Sequence, residues 1–218
     1  MQVRQNFENE LQNLKDTLLH MVELARNAVM NSLEALQTQD MKLAEDVISS
    51  DLEINRLDEQ INQTAISMIA QQQPVASDLR KIIVALRIST DVERVGDLGV
   101  NIAKSTLRIE KKKVDKPMED ILQMATIAQK MVHDALNAYH NEDLQAALDL
   151  AKEDDQIDVK YGRIIQELLK LAAQNPTQTA QITQLAFICR DIERVGDHAT
   201  NIAENIIYMI KGKQYNLN

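Results

Sequence analysis

An all-α fold of two tandem antiparallel three-helix bundles is what this 218-residue sequence predicts, on three observations. Composition favours helices: aromatics are 3% of residues, Trp is absent, and the whole chain holds five Gly and three Pro. Apolar residues recur every three or four positions through long stretches, the signature of amphipathic helices. The chain also repeats itself: DVERVGDLGVNIA from Asp91 and DIERVGDHATNIA from Asp191 agree at nine of thirteen positions, one hundred residues apart.

Each element follows in order. Phe7, Leu11, Leu14, Leu18, Met21 and Ala25 begin a stripe that continues to Leu36, which predicts one long helix over roughly residues 6–37. Asp40 is placed to act as N-cap of a second, which carries Leu43, Val47, Ile54, Leu57 and Ile61 to the break at QQQPVAS. Ser77 or Asp78 is suited to cap a third, ending at Lys111, Lys112 and Lys113, where positive charge complements the helix dipole. The linker VDKP follows, with Asp115 as a cap and Pro117 tolerated in a first turn. It divides the chain into residues 1–113 and 114–218. A fourth helix spans about residues 118–139, a fifth 143–172, and AAQNPTQTA precedes a sixth ending near Lys211. Short loops make consecutive helices antiparallel, so each half is a three-helix bundle. A helix of about 35 residues is ~50 Å long, which makes the molecule elongated.

The repeat extends beyond the quoted motif. Glu34, Ala35 and Leu36 recur as Asp134, Ala135 and Leu136, offset by 100. In the second helix of each half the offset is 103: Asp40, Asp51, Ile54 and Asn55 correspond to Asp143, Asp154, Ile157 and Asp158.

A balance of 44% apolar and 26% charged residues is that of a water-soluble globular protein. The net charge of −9 argues against nucleic acid as a partner and is compatible with cations. Cys189, the single cysteine, falls in an apolar stripe and reads as a buried thiol, in keeping with a cytoplasmic protein. No apolar signal core opens the sequence, and runs such as IIVAL at residues 82–86 are far too short to span a bilayer, so any membrane link is through a partner.

Residues i, i+4 and i+8 of a helix share a slowly drifting face, so Glu93, Asp97 and Asn101 form one polar stripe and Glu193, Asp197 and Asn201 another. Like charges at i and i+4 repel, and a glycine inside a helix costs about 1 kcal/mol relative to alanine. Something must compensate for Gly96 and Gly196, and close approach of a neighbouring helix would do so. A cation would compensate for the acids, because carboxylate and amide oxygens suit hard or borderline metal ions: Mg²⁺, Ca²⁺, Mn²⁺, iron or zinc. Candidate partner ligands are Glu34, Asp51, Asp134, Asp154 and Asp158. The plainer alternative is a solvated face, with Arg94 and Arg194 pairing to Asp91, Asp97, Asp191 and Asp197 at i,i+3. His133 and His198 read as surface or partly buried side chains.

These motifs, DVERVGD and DIERVGD each followed by NIA, with the DxxI(N/D) pattern in the preceding helix, resemble the PhoU family of phosphate-signalling regulators over essentially the whole chain. The resemblance implies two three-helix bundles and a cytoplasmic negative regulator of the phosphate-starvation response that also modulates phosphate uptake. Such a protein acts as an adaptor between the ATPase subunit of a phosphate ABC importer and a sensor histidine kinase, and it is not an enzyme. It further implies multinuclear iron or other metal clusters at Glu93 with Asp97 and at Glu193 with Asp197, the acid of the preceding helix being Asp158. Asn55 holds the matching place in the first half, so the second site is expected to bind more tightly. Long flanks suit a homodimer. The competing reading is a carboxylate-bridged metal-bundle enzyme with redox or hydrolytic activity, for which the Glu-x-x-His pairs are missing.

Overall fold

The computed structural model describes residues 2–109 and 115–217, and among these every regular element is helical. Helix α1 is Gln2–Thr38, α2 is Met41–Gln72 and α3 is Ala76–Leu107. Helix α4 is Asp115–Asn141 and α5 is Leu144–Gln174; a 3₁₀ turn, Pro176–Gln178, then leads into α6, Thr179–Lys211. The expected basic end of the third helix, Lys111 to Lys113, and the boundary between residues 113 and 114 lie outside the described residues.

Local sequence explains where α2 and α5 begin. Asp40 caps α2 by accepting the Leu43 amide at 3.0 Å, and Asp143 caps α5 by accepting the Gln145 and Ala146 amides at 2.9 and 3.1 Å. Each cap follows a left-handed residue, Gln39 (φ 56°) or Glu142 (φ 52°), so the repeat uses the same turn twice. Helix α3 departs from expectation. Its N-cap is Val75, in extended conformation and without a side-chain cap, while Ser77 and Asp78 sit inside the first turn. Asp78 instead accepts from Arg4 of α1 at 2.6 Å, tying the first helix to the start of the third.

The stripes meet as the sequence predicts: Leu14, Leu18 and Met21 of α1, Ile54 and Ile61 of α2, and Ile82 and Ile88 of α3 are all at most 1% exposed. Cys189 is fully buried, and burial pushes its thiol up to about 12, so it is an inert core group. Helix α2 packs on α1 and α3, and α5 packs on α4 and α6. The two bundles join through α3 against α6 and α1 against α4. Both junctions are antiparallel. Arg87 near the start of α3 lies over Tyr208 near the end of α6, Asp91 meets His198, and Lys104 and Arg108 share a groove with Phe187. Likewise Lys15 of α1 donates to the His140 carbonyl at the end of α4, while Met30 lies beside Leu122 near its start. The repeat thus gives the molecule an approximate two-fold relation, with α2 and α5 on its outer flanks.

Candidate functional site

The glycines of the repeated motif mark where two helices come closest. A Cβ on Gly96 would stand 2.8 Å from Ile54 Cδ1 and 3.8 Å from Asp51 Oδ1, and one on Gly196 would stand 2.8 Å from Ile157 Cδ1 and 3.3 Å from Asp154 Oδ1. These glycines let α3 settle on α2 and α6 on α5, which is the compensation their helix-weakening cost required. The same contact delivers the aspartate of one helix to the acids of the other.

Two acidic seams result. On the first, Glu93 and Asp97 of α3 face Asp51 and Asp58 of α2; burial raises the Glu93 carboxyl above its ordinary value, with Asp97, Asp58 and Asp51 adding to the rise. Asp51 Oδ1 and Asp58 Oδ1 are shut off from solvent and accept no hydrogen bond. Asn55 does not stand in for a carboxylate but donates to Asp51 Oδ2 at 3.0 Å. Arg94 offsets part of the charge, reaching Glu93 at 3.3 Å and Asp97 at 2.9 Å.

On the second seam Glu193 and Asp197 of α6 face Asp154 and Asp158 of α5. Burial, then Asp197, Asp158 and Asp154, push Glu193 up to about 7. Burial, then Asp197 and Asp158, push Asp154 up to about 6, and Asp197 is raised by burial and Asp158. Tyr161 lies close enough to Glu193 for the carboxylate to raise its phenol, after burial, the larger cause.

Of the candidate ligands, the structure therefore brings together Asp51, Glu93 and Asp97, and Asp154, Asp158, Glu193 and Asp197. It separates the others. Asn201 turns across the bundle junction to donate to Asp91 Oδ1 at 3.4 Å, beside His198 Nδ1 at 3.0 Å from the same oxygen. Asn101 lines a surface groove with Lys104 and Arg108. Glu34 is exposed beside α4, and Asp134 is bound to Lys130, which also reaches Glu153. Of the i,i+3 ion pairs only Arg94 with Asp97 forms; Asp91 is taken by His198, and Asp191 by Arg190 at 3.0 Å. Asp58 and Tyr161, which occupy matching places, were not singled out from the sequence. The available signal was the spacing of seven residues from Asp51 and Asp154, two turns along the same helix face.

The donors suit a hard cation in kind: carboxylates on facing helices, two of their oxygens buried without a donor. As they stand, no three His, Cys, Asp or Glu side chains among the described residues converge closely enough to share one ion. Coordination of one ion would require rotation of these side chains.

Comparison with known proteins agrees with the fold and the repeat. Residues 18–106 and 121–206 each match the PhoU domain. A phosphate-specific transport system accessory protein PhoU homolog of Clostridium acetobutylicum is 39% identical over 216 residues, 99% of both chains. A PhoU homolog of Rhizobium meliloti is 38% identical over 212 residues, 95% of this chain and 88% of the relative. The crystal structure of PhoU from Pseudomonas aeruginosa superposes with a TM-score of 0.91 at 32% identity, covering 95% of this chain and 100% of that one. That of the phosphate transport system regulatory protein PhoU from Streptococcus pneumoniae gives 0.90 at 29% identity, covering 96% and 99%.

Proposed function

The chain belongs to the PhoU family, and from that premise we propose that it is an accessory regulator of phosphate-specific transport that keeps phosphate-starvation genes silent when phosphate is plentiful. The observation that carries the reading is end-to-end correspondence with relatives named as accessory proteins of that transport system, both repeats included. In this reading the chain is an adaptor: it contacts the ATPase subunit of the phosphate importer and passes the importer's state to a sensor histidine kinase in the cytoplasm. No helix among the described residues is long and apolar enough to cross a membrane, so membrane contact runs through the importer.

An adaptor of this kind works by binding one state of its partner more tightly than another. Carrying a kinase from almost fully active to almost fully inactive takes a preference of about 10⁴-fold. The acidic seams are the proposed regulatory element. Asp51, Asp58, Glu93 and Asp97, and Asp154, Asp158, Glu193 and Asp197, would hold hard cations, which when bound supply the positive charge that lets neighbouring carboxylates ionise together. The second seam, with Asp158 where the first has Asn55, is the tighter of the two.

The test is a phosphate-starvation reporter in phosphate-rich medium, in cells lacking this gene and rescued by wild type or by Glu93→Gln, Asp97→Asn, Glu193→Gln and Asp197→Asn combined. Derepression on loss, with silence restored by wild type alone, is the expected result. Equal rescue by the neutral variant would remove the seams from the mechanism; a reporter that stays silent on loss would remove the regulator reading itself.

A further inference from the structure

The repeat places two matching grooves along the α3–α6 junction. One lies between Arg87 of α3 and Glu204, Asn205 and Tyr208 of α6, and the C-terminal stretch with Gln214 and Tyr215 forms its other wall. That stretch is neither helix nor strand, and it is held by chemistry specific to the groove: the Glu204 carboxylate accepts the Leu217 amide at 2.8 Å. This groove therefore already has a non-helical stretch of polypeptide along one wall, tied to it through Glu204.

Offset by one hundred, Arg87, Glu204, Asn205 and Tyr208 become Phe187, Lys104, Ser105 and Arg108. These residues line the second groove, about 290 Å³ in volume, together with Asn101 and Arg190. Its place in the fold is the same, but where the first groove balances Arg87 against Glu204 the second carries an excess of cations. The acceptor Glu204 is replaced by a cation, Lys104, and the aromatic Tyr208 by another, Arg108, while an arginine again lies over an aromatic ring, Arg190 at 5.2 Å from the Phe187 centroid. Three cations face one carboxylate, Asp191, which is 2% exposed and already engaged by Arg190 at 3.0 Å. Neither Lys104 nor Arg108 meets a carboxylate among the described residues.

We propose that this second groove docks an extended, carboxylate-rich segment of a partner protein, with Lys104 and Arg108 pairing to its acids and Phe187 beneath them. Three features favour a peptide over a small inorganic anion. The matching groove is walled on one side by non-helical chain. Phe187 is 39% exposed and offers an apolar floor that a bare oxyanion cannot use. The lining residues sit within or at the C-terminal end of helices, so no free backbone amides converge here as they do where a helix N-terminus binds phosphate. On a chain of net charge −9, such a groove is a local exception that selects acidic ligands for this one place.

Binding at this groove is independent of the phosphate-regulator reading and of metal at the seams, and it is measured directly. The probe is a fluorescein-labelled short peptide of alternating Glu and Ser, titrated with the full chain at low salt and followed by anisotropy; the same peptide with Gln for Glu is the control. The Glu peptide should bind saturably and the Gln peptide should not. Arg108→Glu should weaken binding about tenfold or more, the scale of a lost charge-assisted contact. Arg87→Gln, in the other groove, should leave it unchanged, and circular dichroism confirms that each variant folds. Equal binding of the Gln peptide, indifference to Arg108→Glu, or no binding of the Glu peptide would overturn the proposal. Displacement of the peptide by inorganic phosphate alone, at matched concentration and with the same Arg108 dependence, would make this a small-oxyanion site instead and overturn the docking assignment.

Discussion

Glu193 and Asp154 hold protons far beyond the range of free carboxyls, to about 7 and about 6 against ordinary values of 4.5 and 3.8, because burial and each other's neighbours disfavour the charged form. The folded state therefore binds these protons more tightly than the unfolded chain, and stability falls as pH rises through the interval between the two sets of values. For the metal-free protein, calorimetric melting between pH 4 and 8 should show this loss on going from about 4 to above 7, the reverse of ordinary acid denaturation. Asp197→Asn removes the charge that most raises both groups after burial, so the variant should match wild type near pH 4 and melt higher at pH 8. Parallel pH profiles would show that the seam charges do not interact as described. On the proposed role of the seams, a hard cation such as Mn²⁺ would compete with these protons, and should raise the wild-type melting temperature at pH 8, not at pH 4, and less in Asp197→Asn.

At the scale of elements, the spacing between α2 and α3 is set by the absence of one carbon atom. Gly96→Ala puts a methyl 2.8 Å from Ile54 Cδ1, in a side chain 1% exposed, and should destabilise by about 1 kcal/mol or more as the pair is forced apart. Ile54→Val deletes the nearer of the two colliding atoms and leaves Cγ2, 3.3 Å away. In that background Gly96→Ala should cost less than in wild type, since the 3.3 Å contact that remains is milder and alanine is worth about 1 kcal/mol over glycine inside a helix. Denaturant melts of the four proteins in the cycle check this; a cost undiminished by Ile54→Val would place the obstruction elsewhere. Gly99 supplies the contrast, because a Cβ there meets the α1 backbone at Ala28 C (2.9 Å) and Val29 N (3.0 Å), which no side-chain change relieves. Much of this scale was legible in sequence. Asp40 and Asp143 announce their helices by cap chemistry, and the glycines announce a close approach; the start of α3 does not, because Val75 caps it by backbone conformation alone.

For the whole molecule, the junction decides whether two repeats behave as one body. Helices α3 and α6 contribute to their own bundle and to each other, burying residues such as Val92, Ile102, Ile192 and Ile202 to at most 3% exposure. A lesion in one bundle should therefore lower the melting of both. Leu18→Ala, at a fully buried position of α1, should cost about 2–5 kcal/mol and shift a single transition in which calorimetric and van't Hoff enthalpies agree. A melt that splits, with about half of the helix signal unmoved, would show that the repeats unfold independently.

The sequence by itself determined the six helices, the repeat with its two offsets, the apolar faces and the acids of the DVERVGD and DIERVGD motifs, because periodicity, capping and duplication are properties of the chain read locally. It offered Asp51, Asp154 and Asp158 as candidate companions of Glu93, Asp97, Glu193 and Asp197, together with Glu34 and Asp134, because acids recur there at repeat-equivalent positions. What only the tertiary structure decided was which side of each helix met the other bundle. Asn101, Asn201, Glu34 and Asp134, candidate ligands by sequence, turn instead to the junction, the α1–α4 groove or Lys130. Asp91 finds His198 more than one hundred residues away, and Lys104 and Arg108 come to share a groove with Arg190. A helical stripe fixes that a face is covered, but not by whom; that choice belongs to the antiparallel packing of two whole bundles.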